Sequence, residues 1–137
     1  MFGAFDISAS ALSAQRVRLE TISSNLANWD SPDSTRSADG KPVPYRRLFP
    51  IFKPQRMENG GLGVAVSSIE EDQTQFLEKI EPWNTKYKDA NDIVKYPNVD
   101  LATESVNALE TTRAYEANIT AIETTKSMMN STLRVLG

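Results

Sequence analysis

Cysteine and histidine are both absent from the 137 residues. Without cysteine there is no disulfide framework, no thiol nucleophile and no thiolate metal site. Without histidine the chain lacks the commonest general base and the commonest transition-metal ligand. Enzymatic function therefore starts from a low prior, and no cofactor is implied. No apolar run approaches the roughly 18 residues of a membrane-spanning helix. The stretch Met1 to Ser13 has no basic n-region and no separate apolar core, so it does not read as a Sec-type signal peptide. Read plainly, that pattern is cytoplasmic, although export routes with an uncleaved N-terminus leave no such mark. The net charge is −3 and no basic stripe offers itself to phosphates, which argues against a nucleic-acid partner.

What is present is organised around the last segment, from about Asn98 to Gly137. It contains no proline, and its one glycine closes it. Asp100 can cap its start and Glu104 follows in the first turn, where acidic groups complement the helix dipole. Tyr115, Ile119, Ile122, Met129, Leu133 and Leu136 fall on a heptad spacing, with Lys126 in the one gap. Val106 and Leu109 add apolar positions nearer the start. A helix from Leu101 to Leu136 spans about 54 Å at roughly 1.5 Å per residue, too long for a small domain to fold around. Its apolar stripe needs another helix.

The other end of the chain supplies one. Asp6 or Ser8 can cap a first helix running to about Asn28. Phe5, Leu12, Leu19 and Leu26 recur at intervals of seven, with Ile22 and Trp29 on the adjacent row. The same interval in both segments predicts a coiled-coil-like pairing of the terminal helices. The second should be the longer by about fifteen residues, so part of its apolar face must be covered by the middle of the chain or by other molecules.

Between the helices the pattern changes. Trp29 to Pro44 is a polar loop with three prolines and no periodicity, and loops longer than about 12 to 15 residues are usually functional or disordered. Tyr45 to Phe52 is strand-like but interrupted by Pro50, which suggests an edge or a bulge. Glu58-Asn59-Gly60-Gly61 signals a turn and Leu62 to Ile69 alternates, so the two runs form a hairpin. Thr74 to Ile80 reads as a third strand, and Pro82 to Pro97 as irregular. Pro97 holds Tyr96 extended, so the second helix starts after it. The expected fold is mainly α with a small β insert: helix 1–29, loops and short antiparallel strands 30–97, and a long helix 98–137, the terminal helices paired as a stalk.

No constellation of side chains reads as an active site. Glu70, Glu71 and Asp72 lack both metal-ligand spacing and a partner base, and a solvated face explains them better. Arg46 and Arg47, beside Tyr45 and Phe49, suit either a small anion or partner patch or the outward side of an edge strand. Gly60-Gly61-Leu62-Gly63 lacks the lysine and following helix of a phosphate loop. Met128 and Met129 suit a helix that docks on several non-identical neighbours.

Several stretches resemble a known family. Ile22-Ser23-Ser24-Asn25-Leu26-Ala27-Asn28 is similar to the signature that closes the first helix in flagellar rod, hook and hook-filament junction proteins. Pro97-Asn98-Val99-Asp100, Arg113-Ala114-Tyr115-Glu116-Ala117-Asn118 and Lys126-Ser127-Met128-Met129 resemble, more specifically, the proximal rod proteins of the bacterial flagellar basal body. Gly40-Lys41-Pro42 leading to Tyr45-Arg46-Arg47 looks like that family's route into its first strand. Asp92-Ile93 depart from the family's usual glycine-tyrosine pair, and Val43-Pro44 looks like an insertion.

The resemblance implies a structural subunit of the rod. Its terminal helices would stack with those of neighbours into a hollow tube that transmits torque and lets export substrates pass, with the β insert outside. It implies export through the flagellar type III apparatus without cleavage and residence in the periplasm. Other copies, neighbouring rod proteins, the rod base or adaptor protein and, in transit, the export apparatus are the implied partners. The candidate assembly interface is Phe5, Leu12, Leu19, Ile22, Asn25, Leu26 and Asn28 on the first helix. On the second it is Val106, Leu109, Tyr115, Asn118, Ile119, Ile122, Met129, Leu133 and Leu136. The alternative reading is a cytoplasmic coiled-coil adaptor or export chaperone, which would keep both helices in a stable dimer.

Overall fold

The computed structural model describes residues 2–33 and 35–137. Met1 of the N-terminal stretch and Ser34 of the polar loop lie outside the described residues. Two helices bracket six short strands: α1 (Phe2–Ala27), β1 (Thr35–Arg36), β2 (Pro42–Val43), β3 (Leu48–Arg56), β4 (Leu62–Glu71), β5 (Leu77–Ile80), β6 (Ile93–Tyr96) and α2 (Leu101–Leu136).

Helix α2 begins and ends where its chemistry dictates. The Asp100 carboxylate accepts from the Ala102 amide at 3.1 Å and from the Thr103 hydroxyl at 2.6 Å, which satisfies donors that a helix start leaves unpaired. Gly137 closes it, its N–H donating to the Leu133 carbonyl. Helix α1 starts earlier than Asp6 or Ser8. It already runs from Phe2, with no acidic residue in its first turn. Asp6 lies inside the helix and accepts from the Asn59 side chain of the β3–β4 turn at 3.2 Å. Helix α2 has 36 residues against 26 for α1, an excess of ten instead of about fifteen.

The strands form three separate antiparallel pairs, β1–β2, β3–β4 and β5–β6. The hairpin expected around Asn59-Gly60 is β3–β4. Gly60 takes φ +83°, a left-handed conformation that glycine adopts without strain. The register shifts between Ile51 and Phe52, next to Pro50, and each strand of a two-stranded ladder has a free edge on which proline is tolerated. The third strand does not join this hairpin. Strand β5 pairs with β6, Leu77 opposite Tyr96 and Ile80 opposite Ile93, so the segment read as irregular from Pro82 to Pro97 holds a strand. Three strand-favouring residues, Ile93, Val94 and Tyr96, were hidden between a turn and Pro97. Val94 and Tyr96 are among the few buried apolar residues, and tertiary burial outweighs the flanking turn chemistry here.

Hairpin β3–β4 lies lengthwise along α1. At its root the Leu48 backbone meets Asn25, and at its far end the Val64 amide donates to Ser10 Oγ at 3.1 Å. Gly63 permits this close approach: a Cβ there would lie 2.6 Å from Ser10 Oγ. Both this hairpin and α2 pack on α1. The helices run antiparallel, Asn25 meeting Glu104 and Arg18 meeting Glu110.

Little apolar surface is kept inside. Among the described residues the buried apolar side chains are Ala14, Ile22, Val94 and Tyr96. The chain exposes 9194 Å², whereas a compact monomer of 15.2 kDa exposes about 7,100 Å². The excess of about 2,000 Å² exceeds the ~1,600 Å² buried in a standard protein–protein interface.

Candidate functional site

Two features of the terminal helices stand out: a buried polar joint where they meet the hairpin, and an apolar surface that nothing in the chain covers. The joint centres on Asn25, which is 0% exposed. Its amide nitrogen donates to the Leu48 carbonyl at 2.8 Å and to Glu104 Oε2 at 3.1 Å. Its carbonyl oxygen accepts from the Leu48 amide at 2.8 Å and from the Tyr45 hydroxyl at 2.9 Å. Both donors and both lone pairs of the side chain are used. Asparagine here reads both backbone groups of Leu48 and ties α1 to the start of β3.

Glu104, also 0% exposed, is the corresponding group on α2. Its Oε1 accepts from Arg47 Nε at 2.5 Å. A carboxylate taken out of water is strongly unfavourable unless paired and hydrogen-bonded, and Arg47 and Asn25 meet that requirement from two different elements. Arg47 continues the network. Its guanidinium stands 3.8 Å from the Asp72 carboxylate, and its amide donates to Asn98 Oδ1 at 3.1 Å. The Asn98 amide donates to the Asp72 carbonyl and to Thr74 Oγ1. The Thr74 backbone amide donates to the Asp72 carboxylate and, as the foremost cause, holds its pKa below the usual 3.8, with the Thr74 hydroxyl, Arg47 and Arg46 acting the same way. The Tyr45 hydroxyl is pushed above its ordinary 10.0, first by burial and then by the Glu104 and Glu71 charges.

Arg46 and Arg47 are both engaged by groups of the chain itself. Arg47 is bound to Glu104. Arg46 lies 4.2 Å from the Phe76 ring centroid and donates to the Asp72 and Thr74 carbonyls. Glu70 and Glu71 are exposed on β4. Among the described residues no group of three potential metal ligands converges.

On α2, Asn107 and Ala114 are half-buried flanking positions. The other buried and half-buried positions of this helix are Glu104, Ala108, Thr111, Tyr115, Asn118, Ile122, Thr125 and Met129. They alternate by four and three, as residues facing a neighbouring helix do. Tyr115, Asn118, Ile122 and Met129 of the candidate set lie on this line, where α2 packs on α1. Ile119 and Lys126 lie one position away from it and are exposed. Glu104 sets the phase: counting heptads from a carboxylate that must meet Asn25 and Arg47 leads to Asn118 and Thr125 in place of Ile119 and Lys126. The polar members Thr111, Asn118 and Thr125 each donate to a carbonyl four residues back, at 2.6, 2.8 and 2.8 Å, and need no acceptors from α1 for these donors.

On α1, Ile22 and Asn25 are buried within the chain, and Phe5, Leu12, Leu19, Leu26 and Asn28 are half-buried. Val106, Leu109, Leu133 and Leu136 are open: Leu109 is 54% exposed, Leu133 64% and Leu136 80%. The inward face of α2 is therefore largely polar or small, Val106 and Leu109 lie off that face, and Leu133 and Leu136 continue it past the end of α1, so these apolar side chains are left without cover.

Sequence reasoning missed the joint. Glu104 reads as a first-turn acid and Arg47 as a surface base. A signal was nevertheless present: Glu104, Thr111, Asn118 and Thr125 are spaced by sevens, a polar line beside the apolar one.

The comparisons with known proteins agree with this architecture. The family model described as flagella basal body rod protein matches residues 5–32, covering α1 and its exit. That described as flagellar basal body rod FlgEFG protein C-terminal matches residues 91–135, covering β6 and nearly all of α2. The chain is similar to the flagellar basal-body rod protein FlgC of Bacillus subtilis, with 39% identity over 98% of this chain and 97% of that protein. It is similar to FlgC of Salmonella typhimurium, with 43% identity over 94% and 92%. Against FlgC of Aquifex aeolicus the identity is 34% over 96% and 94%. These likenesses do not favour the cytoplasmic adaptor or export chaperone. With a buried polar joint, an uncovered apolar helix face and relatives matched over nearly their whole length, the chain belongs to the FlgC family of flagellar basal-body rod proteins, which are structural and not enzymes.

Proposed function

We propose that this structural rod subunit polymerises through its two terminal helices into the hollow proximal rod, which transmits torque and lets export substrates pass. In this reading residues 1–29 and 98–137 form the inner axial layer, paired in a coiled-coil-like stalk, and residues 30–97 lie outside it. The subunit works in the periplasm, having left through the flagellar type III apparatus without cleavage. Its partners are other copies, neighbouring rod proteins and the rod base or adaptor protein.

The observation that carries the reading is the exposed apolar surface of α2, above all Val106, Leu109, Ile119, Leu133 and Leu136. Covering one such leucine fully contributes about 1.5–3 kcal/mol. Several together supply what association costs only when neighbouring helices pack on them. Phe5, Leu12, Leu19 and Leu26, half-buried in the single chain, complete the contact from α1. Asn25 and Ile22 act inside the subunit and orient the surface.

A subunit with this much uncovered helix should gain order on assembly, which restrains premature polymerisation. The experiment is fractionation of cells expressing the full chain, with circular dichroism on the purified monomer before and after removing residues 1–28 and 98–137. The chain is expected in periplasmic basal bodies, with helicity in the free monomer below that of the assembled form. A cytoplasmic, fully helical and protease-resistant monomer would overturn the proposal.

A further inference from the structure

Only one of the nine asparagines is followed by glycine: Asn59, at the tip of the β3–β4 hairpin. It is exposed, and its side chain ties the tip to the first turns of α1. Nδ2 donates to Asp6 Oδ2 at 3.2 Å, and Oδ1 accepts from the Gly61 amide at 3.0 Å. The same carboxamide is an electrophile within reach of its own backbone. The nitrogen of the following residue closes a five-membered ring on Cγ, and glycine puts no Cβ in its path. Chain neighbours aside, no atom stands within 4 Å of where a Cβ on Gly60 would lie. The Gly61 N–H already sits on Oδ1, where negative charge develops during attack on Cγ. One bond restrains the reaction. The Gly60 N–H donates to the Met57 carbonyl at 3.0 Å, so its nitrogen attacks when the tip opens locally.

We infer that Asn59-Gly60 is a site of spontaneous deamidation, and that the modification releases the hairpin tip from α1. The Gly60 nitrogen loses its proton to hydroxide and bonds to Asn59 Cγ. The Cγ–Nδ2 bond breaks, and ammonia departs with a proton taken from water, which regenerates the hydroxide. Water then opens the succinimide at either carbonyl and leaves aspartate or isoaspartate. One water is consumed and one ammonia released, with no change of oxidation state. Aspartate at this position sets a carboxylate against Asp6 where an N–H donor stood, so attraction becomes repulsion. Isoaspartate lengthens the backbone by one carbon inside the turn that closes Met57 on Gly61. The tie at the tip is therefore lost with age in any copy whose tip can open. This chemistry belongs to the chain itself and stands apart from the polymerising role proposed above.

The test incubates the purified full-length chain at mildly alkaline pH, both natively and in urea, and follows it by trypsin digestion and mass spectrometry. The peptide of residues 57–79 holds Asn59 as its one asparagine. It is expected to gain one mass unit and to carry isoaspartate ahead of every other asparagine-bearing peptide, and faster in urea, where the bond to Met57 is gone. Asn59→Gln keeps the amide but needs a larger ring, and should stay unmodified over the same period. An Asn59 that stays intact in the native chain while the urea-treated chain is converted overturns the site. Hydrogen exchange on Asn59→Asp reads the consequence. Protection of the Met57 and Val64 amides is expected to fall about fivefold, as loss of a hydrogen bond worth ~1 kcal/mol would produce. Adding Asp6→Asn should restore it, and the Leu48 amide beside Asn25 should not change. Native protection at Met57 and Val64 in Asn59→Asp, or no restoration by Asp6→Asn, overturns the release.

Discussion

Asn25 and Glu104, 79 positions apart in the chain, meet at 3.1 Å with both side chains fully buried. One is the fourth residue of the helix-closing signature Ile22 to Asn28, and the other stands in the first turn of α2. Their contact, extended through Arg47 and Leu48, fixes how the two helices and the hairpin sit on one another. Substitutions at the joint should therefore act on the fold, whereas substitutions on the outer apolar line should act on assembly.

Asn25→Ala removes four hydrogen bonds and strands both backbone groups of Leu48. A loss of about 3 kcal/mol of monomer stability is expected, since each buried group left unpaired costs roughly 1–3 kcal/mol. Asn25→Asp should be worse, because it sets a second carboxylate beside Glu104. Urea denaturation measures both; a change below about 1 kcal/mol for the alanine variant would show that Asn25 does not hold the joint.

Glu104→Gln takes from Arg47 the buried one of its two carboxylate partners, leaving Asp72 at 3.8 Å, and should destabilise by about 3 kcal/mol. The double variant Glu104→Met, Arg47→Met should recover much of the loss, because apolar replacement of a buried pair is often neutral or better. Equal losses for the single and double variants would mean that the ion pair does not matter here.

Leu109→Asp, on the exposed line, is expected to leave monomer stability within about 0.5 kcal/mol while preventing entry into the rod. Ile122→Asp and Leu19→Asp reach half-buried positions and should reduce both, with a cost of several kcal/mol for a charge in a dry seam. Hydrogen exchange on β3–β4 provides the control, since the hairpin should stay protected in Leu109→Asp. Rods built from Leu109→Asp would refute the outer line as an assembly surface.

Stability should fall off at both ends of the pH scale. The Asp72 carboxyl titrates below its usual 3.8 in the folded chain, so the unfolded chain binds its proton first. Its contribution is complete above the ordinary value and lost as pH falls through the folded one. Tyr45 is shifted above 10.0, so its contribution is complete below that value and lost as pH rises through the folded one. Asp72→Asn should flatten the acid limb and Tyr45→Phe the alkaline limb of unfolding free energy plotted against pH. Unaltered limbs would separate these groups from the pH dependence.

The sequence made the long elements legible because their signals are local and repeated. The start of α2 at Leu101 follows from Asp100 and Pro97, and its length from an uninterrupted apolar spacing. The hairpin turn at Asn59-Gly60 declares itself in two residues. Less legible was whatever depends on meetings between distant segments. Strand β6 is a strand because Val94 and Tyr96 find cover, and its short run of β-favouring residues is masked by the turn before it and Pro97 after it. Asp6 reads as a helix cap until the Asn59 side chain, more than fifty positions away, is brought to it. Glu104 and Arg47 each look like ordinary surface charges until they are brought together. The inward line of α2 shares Tyr115, Ile122 and Met129 with the apolar spacing but takes Asn118 and Thr125 where that spacing has Ile119 and Lys126, for the same reason.

The joint also acts as a key between two shafts. If α2 slid along α1 by one heptad, about 10.5 Å, the inward faces would still match in size and spacing. The Glu104 carboxylate would nevertheless leave Arg47 and Asn25 behind and lie bare in a dry groove, several kcal/mol uphill. Grease alone tolerates slippage; a single seated charge does not.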